Sequence, residues 1–340
     1  MSIYFSLLNW MTLLVSTCAV VGVKVSSVAT KPEAQPVKFV VMGDMPYSDY
    51  EREQLQGNIK AAIAAANVPF LIHYGDFKAG NVSCTDEVFR QAKADMDALH
   101  PRVFYTPGDN DWTDCDRSKL KQPVSELERL DFLRGSSLTL ASRKRLAAKS
   151  NTPRMLAGGK MGFYFPRYIL WGQRMAAEQV LLDDPNDAIA RVNQRDQANQ
   201  KWLKNAFVQA TEKDAQAIVL VMQADISETS GQPTCTETLT TDCDPYEAFR
   251  AQLRQLASEF RDSDSALKPI LLVHGDTFPF CLDSKFGGDP APNLHRLNAW
   301  GDFQQPSDVT EITFIPGQTQ APFQIQTLVN QVKPQECTQK

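Results

Sequence analysis

Five short apolar runs, each ending beside a small polar cluster, set the limits on how this chain can fold. They span Lys38–Met42, Pro69–Tyr74, Arg102–Tyr105, Ala217–Met222 and Pro269–Val273. Runs of this length and continuity suit strands buried on both faces, as in a sheet covered by helices. Each run delivers a carboxylate or amide near its C-terminal end: Asp44 after Gly43, Asp76 after Gly75, Asp109 after Gly108, Gln223 with Asp225, and Asp276 after Gly275. In open α/β sheets ligands bind in the crevice beyond the strand C-termini. A single Gly-Asp pair is ordinary turn chemistry; a series of them after buried strands points to convergence. Converging carboxylates repel one another unless a cation or a set of donors compensates, so the series predicts a divalent metal site.

Helical patterns separate the runs. Ser48 with Glu51 makes a capping box ahead of Leu55, Ile59 and Ile63, and Thr85 opens a second helix carrying Val88, Phe89, Ala92, Met96 and Leu99 on one face. Residues 196–210 and 245–260 predict two more helices, and residues 309–314 and 322–328 two further strands. Strand alternating with helix predicts an α/β fold. The main domain is expected over residues 37–330, with a helical excursion at 117–160 and a tail at 331–340.

The apolar stretch Ile3–Val23, followed by the small residues Ser26 to Ala29, predicts a signal peptide over residues 1–29 and a linker at 30–36; an uncleaved membrane anchor is the alternative. Of the 7 cysteines, Cys18 falls in that segment. The remaining cysteines form an even set, which favours disulfides in an exported, secreted or periplasmic chain. Cys235 with Cys243 would close a local loop and Cys84 with Cys115 would link two neighbouring loops; the spacing leaves the connectivity open. A net charge of -5 provides no basic footprint for nucleic acid, and 4 histidines exclude a site built from many imidazoles.

In order along the chain, Gly43-Asp44-Met45-Pro46-Tyr47, Gly75-Asp76-Phe77-Lys78-Ala79-Gly80, Thr106-Pro107-Gly108-Asp109-Asn110-Asp111-Trp112, Gln223-Ala224-Asp225 and His274-Gly275-Asp276-Thr277-Phe278 resemble the motif series of calcineurin-like metallophosphoesterases. The resemblance is strongest to a branch reading GDxPY, GDxKxG, TPGDNEW, QAD and HGDxH, and it covers most of residues 37–330. It implies a four-layer α/β/β/α sandwich with the active site at the strand C-termini. Position by position it also shows how far the site has changed. Asp44 and the would-be bridging Asp76 match. Pro46 stands where the family has a metal-binding histidine, Asp109 replaces a ligand asparagine, and Asn110 replaces the histidine that protonates the leaving group. Gln223 takes the place of a lone histidine; Asp276 and Phe278 take the places of the paired ones.

The resemblance therefore implies one depleted metal position at Asp44 and Asp76, and one all-oxygen position made by Asp76, Asp109, Gln223 and Asp276. Oxygen ligands favour Mg²⁺, Mn²⁺ or Ca²⁺ over Zn²⁺. Lys78 is a candidate ammonium for the depleted position, with a surface lysine as the alternative. Asn110 can donate a hydrogen bond but carries no transferable proton, which leaves His274 as the nearest candidate acid, a structural histidine being its alternative reading. The expected function is hydrolysis of phosphoesters, against a catalytically silent relative that binds a metal or anion. The expected partner is a small phosphorylated substrate or anionic ligand, met by a monomer, with no nucleic acid and no stable membrane partner unless the N-terminal segment stays uncleaved.

Overall fold

The structure, a computed structural model, describes residues 35–135, 161–164, 182, 184–227, 231–236 and 242–338. Two mixed β-sheets flanked by helices make up an α/β fold, as the alternating pattern predicts. In the first sheet β1 (Val37–Met42) is central. It pairs in parallel with β2 (Leu71–His73), which pairs in parallel with β3 (Val103–Tyr105). On its other side β1 runs antiparallel to β9 (Thr310–Phe314), which carries β10 (Phe323–Thr327) as the edge. The second sheet has parallel strands β4 (Met161–Tyr164), β5 (Ala217–Val221), β6 (Ile270–His274) and β8 (Leu294–Asn298), then antiparallel β7 (Cys281–Asp283) and the two-residue β11 (Gln335–Glu336).

Burial on both faces accounts for the continuous apolar runs. Side chains alternate across a strand, so Phe39, Val41 and Ile72 of the first sheet share one core with Val219, Val221, Leu271 and Val273 of the second. The alternate residues Val40, Met42 and Leu71 pack with Leu55, Ile59 and Ile63 of the helical segment that begins with α1 (Asp49–Gln54) and ends with α2 (Lys60–Ala66). On the second sheet Ile218, Leu220, Ile270 and Leu272 meet Leu203 and Phe207 of α5 (Pro185–Glu212) and Leu253 of α6 (Glu247–Glu259). A fourth cluster joins α3 (Asp86–Asp97) to α4 (Glu126–Gly135).

Both predicted caps form, Ser48 Oγ accepting from Glu51 N at 3.2 Å and Thr85 Oγ1 from Val88 N at 3.3 Å, but the Glu51 carboxylate accepts from Tyr47 N instead of closing the box on Ser48 N. Of the expected helical excursion, residues 126–135 form α4; residues 136–160, like the N-terminal segment 1–29, lie outside the described residues. No described helix is long and apolar enough to cross a membrane. Three disulfides close the six remaining cysteines as Cys84–Cys115, Cys235–Cys243 and Cys281–Cys337, a set that indicates an oxidising environment. The last of these, with β11, ties the segment read as a tail onto β7.

Candidate metal centre

Three of the four Gly-Asp pairs in the series turn the acid the same way, Asp109 being the exception. Asp44, Asp76 and Asp276 have φ of 50°, 58° and 69°, left-handed backbone that aspartate tolerates better than most residues. The preceding glycines are required by close approach. A methyl group on Gly108 would overlap Asp76 Oδ1, and one on Gly275 would overlap Asp44 Oδ2. Glycine at these two points therefore lets carboxylates from both sheets draw together. Strained backbone of this kind concentrates at functional sites.

One carboxylate oxygen from each of Asp76, Asp109 and Asp276 lies within 4.8 Å of the other two. Asp44 joins through its neighbours: its Oδ2 accepts from Asp276 N at 3.0 Å, and its Oδ1 faces Tyr47 OH at 3.3 Å. The acids are poorly compensated. Burial first, and then Asp109, pushes the Asp276 carboxyl up to about 7. Burial likewise holds Asp76 and Asp44 well above the usual carboxylate range, with neighbouring aspartates adding to it. Three converging carboxylates, rich in oxygen and short of countercharge, fit a hard divalent cation.

The remaining candidate residues surround this group. Asn110 donates to Asp76 through both its backbone N (3.1 Å) and its Nδ2 (2.8 Å). Gln223 Nε2 donates to Asp76 Oδ2 at 3.1 Å and reaches Asp44 Oδ1 at 3.5 Å. Its NH₂ end, rather than its amide oxygen, thus meets the acids. Lys78 is buried, not a surface lysine, and feels Asp111, Asp76, Asp114 and Asp109; burial still lowers its pKa. The ammonium donates to Ala79 O at 3.3 Å. Trp112 is buried in the core, with the Arg195 guanidinium 5.1 Å from its ring centre.

His274 is fully buried and engaged at both nitrogens, Nδ1 with Gly275 O at 2.8 Å and Nε2 with Arg296 Nη1 at 3.1 Å. A carbonyl only accepts and a guanidinium only donates, so the proton sits on Nδ1 and the ring is neutral. Its proton is thereby committed to a backbone carbonyl. Arg296 also meets Asp225, whose Oδ2 accepts from Thr277 Oγ1 at 3.0 Å. This network borders a cavity of about 660 Å³ lined by Asp225, Thr277, Phe278, Arg250, Arg296 and Asn298 among others.

Three residues of the site escaped the sequence reading of roles. Tyr47 places its hydroxyl between Asp44 and Asp76. Asp111 is fully buried and accepts from Gly108 N, Asp76 N, Phe77 N and Tyr105 OH at 2.8–3.0 Å, joining the two loops that carry Asp76 and Asp109. Asp302, with φ 44°, has its carboxyl raised by burial and then by Asp109, and it adds negative charge beside Asp44. Its signal was present: Gly301-Asp302 is one more Gly-Asp pair, following β8.

No protein-family model matches the chain, and no curated protein does. Solved structures similar to it include a dimetal phosphatase from Danio rerio, at 11% identity and TM-score 0.49 over 86% of this chain and 98% of the other. PhoD is similar at 12% identity and TM-score 0.47, over 90% and 75% of the two chains. A purple acid phosphatase from yellow lupin (Lupinus luteus) seeds is similar at 8% identity and TM-score 0.48, over 89% and 53%.

Proposed function

We propose that the chain is a divergent calcineurin-like metallophosphoesterase that hydrolyses phosphoesters with a hard divalent cation, Mg²⁺, Mn²⁺ or Ca²⁺. The observation that carries this is the convergence of Asp76, Asp109 and Asp276 to within 4.8 Å beyond strand ends from both sheets. These three carboxylates would hold the ion. When bound, it supplies Lewis-acid polarisation of a phosphoryl oxygen. Asp76 already accepts four donors on its two oxygens, so loading exchanges one of them, and turning the Gln223 amide over would present its oxygen instead. Asn110 and Tyr47 orient Asp76, while Lys78 offsets part of the charge. The three disulfides support export to a secreted or periplasmic location.

A second reading, cation or anion binding without turnover, is favoured by one observation: the His274 proton is held by Gly275 O, and Asn110 has none to give. Hydrolysis of a generic aryl phosphate and a phosphodiester across Mg²⁺, Mn²⁺ and Ca²⁺ separates the two, with Asp76→Asn as the control. The expected result is turnover with at least one metal that drops by about 10²-fold or more in the variant. Turnover no greater than in Asp76→Asn with every metal would sink the hydrolase reading. Stabilisation by Mn²⁺ that is lost in Asp76→Asn would then leave the binding reading standing.

A further inference from the structure

The oxygens of Asp44 and Asp76 that face each other are already occupied. Tyr47 OH lies 3.3 Å from Asp44 Oδ1 and 3.2 Å from Asp76 Oδ2. Gln223 Nε2 spans the same two atoms, at 3.5 and 3.1 Å. Asn110 Nδ2 adds a third donor to Asp76 Oδ2 at 2.8 Å and also donates to Tyr47 OH at 3.3 Å. Asp44 Oδ2 is taken by the backbone N of Asp276. Neutral donors thus fill the place between two carboxylates where a second cation would need lone pairs.

Tyr47 is tethered at its backbone and flanked by one ring. Its backbone N donates to the Glu51 carboxylate in the first turn of α1, and its ring packs 5.1 Å from that of Phe303. Phe303 has a φ of 63° and follows Asp302 at 44°, and its own side chain is largely exposed. The hydroxyl lies within 3.3 Å of both acids, and a cation between them would have to displace it.

We infer that Tyr47 stands in for the second cation, so that the centre accepts one divalent ion, at Asp76, Asp109 and Asp276, and excludes another from the Asp44–Asp76 position. This rests on the metal reading above. Tyr47 acts as a positioning residue, holding two like charges together without a metal. Pro46, next to Tyr47, offers a second ion no side-chain ligand.

Calorimetric titration with Mn²⁺ and the electron paramagnetic resonance of the loaded protein test this on the full chain. The expected result is about one Mn²⁺ per chain with the spectrum of an isolated ion, since two ions at the ~3.5–4 Å of a two-metal site would couple. Tyr47→Ala should admit a second ion, moving the count towards about two and introducing coupling. Tyr47→Phe removes the same hydroxyl with less disturbance of packing, leaving the Gln223 and Asn110 amides in place, and should shift the count in the same direction. A coupled pair in the unaltered chain would overturn the inference, as would a count that stays at one in both variants while circular dichroism shows them folded. An unaltered chain that takes up no Mn²⁺ overturns the metal reading itself, and this inference with it.

Discussion

Asp111→Ala is expected to lower stability by about 3–5 kcal/mol, read as a shifted urea or thermal midpoint, and to abolish cation binding. The carboxylate is fully buried and accepts from three backbone N–H groups and one hydroxyl. Removing it orphans buried donors, each of which costs roughly 1–3 kcal/mol when nothing replaces the acceptor. Water entering the cavity recovers part of that, hence a figure below the simple sum. Two of the donors belong to Asp76 and Phe77 and a third to Gly108, so the loops bearing Asp76 and Asp109 lose their common anchor. Tyr105→Phe deletes only one donor and should cost about 1 kcal/mol. A loss below about 1 kcal/mol in Asp111→Ala, with Mn²⁺ binding intact, would refute the anchoring role.

Cation affinity should rise steeply with pH, by about tenfold or more per unit between pH 5 and 7. Asp276 holds its proton up to about 7, Asp111 up to about 6, and Asp76 and Asp44 are raised well above the usual range. An ion entering the site must displace protons from the ligands among them. The sign for stability without metal follows from the same shifts. A carboxyl raised in the folded state keeps a proton that the unfolded chain releases, so stability falls as pH climbs from about 4 through 7. Asp114, raised to about 7 by burial and Asp109, acts in the same direction. His73, lowered to about 4 by burial, and His295, also lowered by burial, act in the opposite direction. Those five carboxylates, with Asp302 also raised by burial, outweigh two imidazoles, so in a chelator the melting temperature should drop between pH 5 and 7. Mn²⁺ should restore it most at pH 7. A melting temperature in chelator that rises across this range would refute the shared proton load.

Most strands legible from sequence are buried on both faces, and β10, half-exposed at the edge, was legible from its alternation instead. β1, β5 and β6 coincide within a residue or two with their apolar runs, because burial on two sides leaves no polar position to break the pattern. β8 was not legible. Its sequence Leu-His-Arg-Leu-Asn carries no continuous apolar run, yet Arg296 is buried, paired with Asp225, a residue 71 positions away. With β8 missed, Gly301-Asp302 lacked the strand that would have marked it as one more member of the series.

The apolar runs and the helical patterns between them determined the class of fold, and the Gly-Asp series named the three acids that converge. Periodicity records burial, and the glycines record where backbone or side chain must pass close to another. What only the tertiary structure decided is which acids meet and what lies between them. Asp76, Asp109 and Asp276 converge within 4.8 Å, while Asp44 and Asp76 are joined by a tyrosine hydroxyl and an amide. Those contacts span up to 200 positions of chain, as between Asp76 and Asp276, and depend on how two sheets face each other. Local sequence encodes the direction of a strand and the turn at its end, but not the register between sheets that brings those turns together.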